Sequence, residues 1–142
     1  MECIGNYKDW IKQEWIDYLL NNKGYRHIKS DPSEYGKNNS ATKLIDAGWD
    51  ISRELFSGYE KDNFPFEIEM PFDLGEKFDW WFIKLLPGQL IPIHQDHNVS
   101  NYKNLDCRRY WMPLQDYKTG HFFMFEGKMI KDYKAGDVFA YN

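Results

Sequence analysis

The stretch that most constrains this chain runs from Asp79 to Asp96, D-W-W-F-I-K-L-L-P-G-Q-L-I-P-I-H-Q-D. Trp80 to Leu86 reads as a buried strand, because Trp, Phe, Ile and Leu suit a pleated, covered surface. Pro87-Gly88 is strong turn punctuation. A second strand then leads into His94-Gln95-Asp96. Successive side chains on a strand point to opposite faces. His94 and Asp96 therefore share a face, and Gln95 points away.

An imidazole beside a carboxylate on a rigid strand supplies two of the three donors in the 2-His-1-carboxylate set. That set holds non-haem Fe(II) and leaves coordination positions open. The plainer alternative is a His and an Asp on a solvated strand face. The tripeptide alone does not separate the two.

A chain of 142 residues fits one domain, large enough for a core without covalent staples. Aromatic residues make up 18% of it, which argues against disorder. The net charge of -4 argues against nucleic acid or an anionic membrane as a partner held by bulk electrostatics. No apolar run reaches membrane-spanning length, and Met1 to Lys12 has no signal-peptide core. Cys3 and Cys107 are too few for a disulfide framework. A reducing, cytoplasmic setting is the expectation.

Read in order, Asn6 to Asn22 predicts a helix, capped by Asn6, with Ile11, Trp15, Tyr18 and Leu19 forming its apolar stripe and Gly24 stopping it. Tyr25 to Ile28 predicts a short strand, and Asp31 to Ser40 a loop. A second helix is expected from Ser40 to Phe56, although Gly48 lies inside it. Phe66 to Met70 alternates and predicts a half-buried strand. Asn98 to Asp106 is polar and aperiodic, a surface loop or one wall of a substrate site. Further strands are expected at Cys107 to Leu114, His121 to Phe125, Lys128 to Tyr133 and Val138 to Tyr141, with a turn at Ala135-Gly136-Asp137.

Two helices followed by about seven short strands suggest a mainly β fold. The consistent architecture is a double-sheet jelly roll (cupin-like, a double-stranded β-helix) with two N-terminal helices packed outside. Residues 1–65 would form the helical part and 66–142 the jelly-roll core of one domain.

The segments W-W-F-I-K-L-L-P-G-Q-L-I-P-I-H-Q-D, C-R-R-Y-W-M-P-L, G-H-F-F-M-F-E-G and Y-K-A-G-D-V-F occur in this order. Together they resemble the iron(II)/2-oxoglutarate-dependent oxygenases, in particular the aspartyl/asparaginyl β-hydroxylase-like branch with its short phage and marine bacterial members. The resemblance covers Asp79 to Asn142; the residues before it resemble no family we can name. It implies an enzyme that couples decarboxylation of 2-oxoglutarate to C–H hydroxylation of a small molecule or a protein side chain. It implies that His94 and Asp96 are Fe(II) ligands. It implies that Arg109 reaches the 2-oxoglutarate carboxylates, a task suited to a planar guanidinium fork. Trp111 would share Arg109's face, where family members often have a co-substrate-lining His; a Trp can stack there but cannot accept a hydrogen bond.

The family's second metal His, and a further Arg, follow the G-D turn. Here Gly136-Asp137 is that turn, and no His lies beyond His121. His27, His97 and His121 remain as candidates for the third ligand. The expectation is therefore a jelly roll lacking its last strands, with self-association through the incomplete sheet. Its chemistry would be impaired, since two protein ligands hold Fe(II) poorly. The alternative is a non-catalytic, cupin-like module that binds a small ligand. The substrate is not legible in the residues.

Overall fold

The structure is a computed structural model, and it describes residues 1–28, 40–57, 63–76, 78–91, 108–125 and 127–141. Among them lie two helices and eight strands: β1 Glu2–Asn6, α1 Gln13–Asn21, β2 Tyr25–Ile28, α2 Ser40–Asp46, β3 Ser52–Phe56, β4 Phe82–Lys84, β5 Arg109–Trp111, β6 Phe123–Phe125, β7 Lys128–Ile130 and β8 Asp137–Tyr141. The strands form three small sheets, ordered β1-β8-β5, β2-β3-β4 and β6-β7. Every ladder is antiparallel, and no closed barrel forms among the described residues. No helix among them is long and apolar enough to cross a membrane.

The chain divides into two compact units. One comprises Met1–Ile16 with Asp96–Asn142, the other Asp17–Gln95.

In the first unit the first strand pairs with the last. Glu2 lies opposite Ala140 and Cys3 opposite Phe139, then a bulge shifts the register so that Gly5 meets Val138. β8 is thus the central strand, with β5 on its other side. Among the described residues β1 and β5 are the edge strands of this sheet, and β8 is paired on both sides. Val138 and Ala140 are buried on one face of β8. Phe139 and Tyr141 project from the other. The Ala135-Gly136-Asp137 turn stands where the sequence places it, and the N-terminal segment wraps it. Tyr7 N–H donates to Gly136 O at 2.8 Å, and Asn6 Nδ2 donates to Ala135 O at 3.0 Å and to Asp137 Oδ1 at 2.8 Å. Gly136 takes φ +85, and the Lys8 backbone fills the space a Cβ would need.

This wrapping corrects the first predicted helix. Asn6 does not cap it: its Oδ1 accepts from Lys8 N at 3.1 Å ahead of a short 3-10 turn over Lys8–Trp10, whose N-cap is Tyr7. The α-helix begins only at Gln13. Trp10 meets Trp15 edge-on at 4.9 Å, and Trp15 is buried.

In the second unit β3 is central, between β2 and β4. Phe56, Phe64 and Phe82 are buried. Tyr18 of α1 meets Phe56, Phe64 and Phe66 edge-on at 6.3, 5.7 and 5.6 Å. Such arrangements suit the ring quadrupole. Asn63 fixes the approach to this cluster: its Nδ2 donates to Leu55 O, and its Oδ1 accepts from Ser57 N, each at 2.8 Å.

The second predicted helix is half strand. α2 stops at Asp46 because Gly48 adopts φ +88 and closes a Schellman cap, in which Gly48 N donates to Ile45 O at 2.9 Å and Trp49 N to Leu44 O at 2.9 Å. Freed from the helix, residues 52–56 become β3, because both β2 and β4 offer it a ladder. Phe66 to Met70 alternates in burial as expected, yet it joins no strand ladder among the described residues. Phe66 turns to the ring cluster instead. The predicted Trp80–Leu86 strand contracts to Phe82–Lys84, followed by the expected Pro87-Gly88 turn. The predicted Cys107–Leu114 and His121–Phe125 strands contract to β5 and β6. β6 is not buried: the adjoining Phe122 is 59% exposed and Met124 38%. The predicted loop from Asp31, as far as Asn39, and the one from Asn98 to Asp106 lie outside the described residues.

Candidate functional site

The site is built on β5, the strand that carries Arg109 and Trp111. Arg109 lies opposite Tyr141, Tyr110 opposite Ala140, and Trp111 opposite Phe139. The pleat puts Arg109, Trp111, Phe139 and Tyr141 on one face and Tyr110 with Ala140 on the other. Cys3, opposite Phe139 on β1, joins the first face.

The β6-β7 hairpin lies over that face. Phe123 stacks on Trp111 with ring centroids 4.4 Å apart and planes 8° apart. Phe125 meets Tyr141 at 4.7 Å. Trp111 also contacts Phe139 at 5.4 Å and meets Tyr133 edge-on at 5.2 Å. Its indole is thus held on several sides by rings. Burial, together with the nearby Tyr117, pushes the Tyr133 hydroxyl above its ordinary range. The site is an aromatic layer with one guanidinium on its floor.

Arg108 is exposed, and its guanidinium lies over the Tyr110 ring at 5.8 Å. It therefore occupies the opposite side of β5 from Arg109, which is half-buried.

His94 and Asp96 lie outside the described residues, as does His97. Of the remaining histidines, His121 is exposed just before β6, and the backbone of His27 pairs with Arg53 in β2-β3. Among the described residues no group of three or more His, Cys, Asp or Glu could hold a metal ion.

Midway along the Asp79–Asp96 stretch, a polar bracket holds the Pro87-Gly88 turn. Gln89 Oε1 accepts from Leu86 N at 2.9 Å, while its Nε2 donates to Asp50 Oδ2 and to Ser52 Oγ, each at 3.0 Å. Asp50 Oδ1 accepts from Ser52 N at 2.8 Å. Hydrogen bonds from Ser52 and Gln89, with Arg26 at 3.8 Å, lower the Asp50 carboxyl to about 2. This bracket is structural: each polar partner is already engaged with another.

Sequence reasoning did not find β1, and with it missed Cys3. Five residues, E-C-I-G-N, carry neither a strict alternation nor a β-branched run. Their strand character comes from β8, which is remote in sequence.

Between β1-β8 and the hairpin lies an open depression of about 220 Å³, lined by Met1, Cys3, Phe125, Lys128, Met129, Ile130 and Phe139. A second depression, of about 410 Å³, is formed by Asn6 to Trp10 alone. Comparison with known proteins gives no match: no family model, no curated protein and no solved structure matches this chain.

Proposed function

We propose that this chain is an iron(II)/2-oxoglutarate-dependent oxygenase by lineage, with a jelly-roll ancestry, of the kind that hydroxylates a small molecule or a protein side chain, its own chemistry impaired. The observation that carries the reading is the order of four motifs in the sequence: His94-x-Asp96, Arg109-x-Trp111, the H-F-F-M-F strand and the Gly136-Asp137 turn. Two placements are compatible with it. Arg109 is half-buried on a strand face lined by aromatic rings, surroundings in which a bidentate carboxylate pair is stronger than in water. The Gly136-Asp137 turn leads directly into the strand that pairs with β5.

On this reading His94 and Asp96 would hold Fe(II), and Arg109 would bind a carboxylate of 2-oxoglutarate. The metal and its co-substrate supply the oxidising chemistry. The chain's own residues bind, orient and exclude water.

One observation favours the second reading, a non-catalytic module for a small ligand. Trp111 stands where the family often has a hydrogen-bonding His, and here it is occupied by ring packing.

Anaerobic titration of the chain with Fe(II), with and without 2-oxoglutarate, followed by a succinate assay in air, tests the two. The oxygenase reading expects 2-oxoglutarate to tighten Fe(II) binding. It expects Arg109→Ala to remove that effect while Arg108→Ala leaves it. Fe(II) binding that ignores 2-oxoglutarate, or that responds to Arg108→Ala instead, overturns it.

A further inference from the structure

Among the described residues the β6-β7 hairpin is a sheet of its own, sharing no ladder with the β5-β8 pair over which it lies. Rings hold it instead. Phe123 stacks on Trp111, and Phe125 packs against Tyr141, the register partner of Arg109. Both contacts fall on the β5-β8 side. Towards β1 the hairpin leaves an open depression of about 220 Å³ between itself and Cys3. None of its described residues is buried, whereas Val138 and Ala140 of the strand beneath are. Segments with few ladder partners and little burial are the first to open in a folded chain.

The base of the hairpin is clamped and both its exits are bent. Tyr117 N donates to Tyr133 O at 2.9 Å, and the two rings meet edge-on at 5.6 Å. Between this clamp and the strands stand Gly120 at φ +93 and Asp132 at φ +61, neither of them in a ladder. A Cβ at Gly120 would meet nothing within 4 Å, so the backbone there has room to turn. A body joined through two such positions swings about them while its base stays in place. We propose that the β6-β7 hairpin is a lid, hinged at Gly120 and Asp132 and latched by Phe123 on Trp111 and Phe125 on Tyr141. It opens as one body and admits a carboxylate to Arg109, on the face that its rings cover. The opening is a property of the fold; the carboxylate it admits rests on the oxygenase reading. A closed lid lowers the apparent affinity by the fraction of chains that are open, so a looser latch binds better.

Two measurements on the full chain test the opening and the gating separately. Amide hydrogen exchange, without metal or ligand, reads the opening. The β6 and β7 amides should share one protection factor, about tenfold or more below that of β8. Phe123→Ala should lower the whole set together, the Phe125 and Ile130 amides included, and leave β8 unchanged. Protection equal to that of β8, or a loss confined to the neighbours of residue 123, overturns the lid. A covalent tie reads the gating. Lys128, opposite Phe125, lines the open depression together with Cys3, whose thiol is free. In a chain with Cys107→Ser and Lys128→Cys, dibromobimane joins the two thiols across the gap. The same chain with Cys3→Ser, labelled at one end only, is the control. Association with 2-oxoglutarate is timed by anaerobic stopped flow on the Fe(II)-loaded chains. The tie should slow it about tenfold or more, and Phe123→Ala should speed it. Equal rates in the tied and control chains overturn the gate. A control that does not bind 2-oxoglutarate overturns the oxygenase reading, and the carboxylate with it, while hydrogen exchange still decides the lid.

Discussion

Lys84 Nζ lies 2.9 Å from Glu54 Oε2, and the same ammonium donates to the Leu19 and Asn22 carbonyls at 2.9 and 2.6 Å. One cation thus joins the central strand β3 to the C-terminal end of α1, where unpaired carbonyls and the negative end of the helix dipole favour positive charge. Glu54 in turn accepts from Gly24 N at 2.9 Å, holding the chain as it leaves the helix. The two side chains are only 14% and 15% exposed, and the ammonium also lies 5.3 Å from the Phe56 ring centre.

Lys84→Met should therefore destabilise the protein by about 3 kcal/mol, because it leaves Glu54 buried without its cation. Glu54→Gln should cost less, since its amide can still accept from Gly24. Urea unfolding of the two single variants and the double variant checks this. A double variant no less stable than Lys84→Met is the expected sign of a coupled pair; strictly additive losses would contradict it.

Acid should weaken the second unit in a defined window. Asp50 is at about 2 in the folded chain, against an ordinary value of 3.8. Its stabilising contribution is therefore complete above about pH 4 and is lost as the pH falls through about 2. Burial pushes the Glu54 carboxyl up, but the Lys84 and Gly24 hydrogen bonds outweigh it and hold the group below its ordinary 4.5. It acts in the same direction. Urea midpoints measured from pH 6 to pH 2 should fall below pH 4, and Asp50→Asn should flatten part of that fall. Because Asp50 is exposed to solvent, its share should shrink in high salt.

Gly136→Ala should be among the most damaging single changes in the first unit. The residue takes φ +85, and an added Cβ would approach Lys8 Cα to 2.6 Å and Tyr7 C to 2.8 Å, all backbone atoms. A loss of about 3 kcal/mol or more is expected. Gly127→Ala is the control. It shares the positive φ, at +75, but a Cβ there meets nothing within 4 Å, so about 1 kcal/mol is expected. Thermal or urea unfolding of both variants gives the comparison.

Trp111→Ala should cost about 3 kcal/mol by removing the stack on Phe123 and the contacts with Tyr133 and Phe139. Trp111→Phe should recover about half of that. Near-UV circular dichroism should lose an aromatic band in the first variant. Arg109→Ala should change stability by less than Trp111→Ala. An unaltered melting curve for Trp111→Ala would show that the hairpin does not depend on this ring.

The local grammar of the chain was readable where a short motif decides the backbone. Pro87-Gly88 and Ala135-Gly136-Asp137 are turns because a fixed φ or a positive φ is needed there, and neighbours need not be known. The Trp15 and Leu19 stripe is buried because helical spacing alone aligns it. The β strands at 25–28, 109–111 and 137–141 follow from β-branched and aromatic composition. The tertiary structure decided the rest. Residues 52–56 could extend a helix or form a strand by pattern; a glycine cap at 48 and two waiting ladders selected the strand. Phe66 to Met70 alternates as a strand should, but ring packing, not a ladder, takes up its apolar side. Glu2 to Asn6 has weak strand character of its own and becomes one only because β8 offers it a hydrogen-bonding edge. That pairing joins residues more than 130 positions apart, and no local pattern can encode a partner at such a distance. Arg109 and Trp111 could be placed on one face from spacing alone. That Trp111 is stacked against Phe123 depends on where the hairpin folds, a matter of packing that the residues of β5 do not contain.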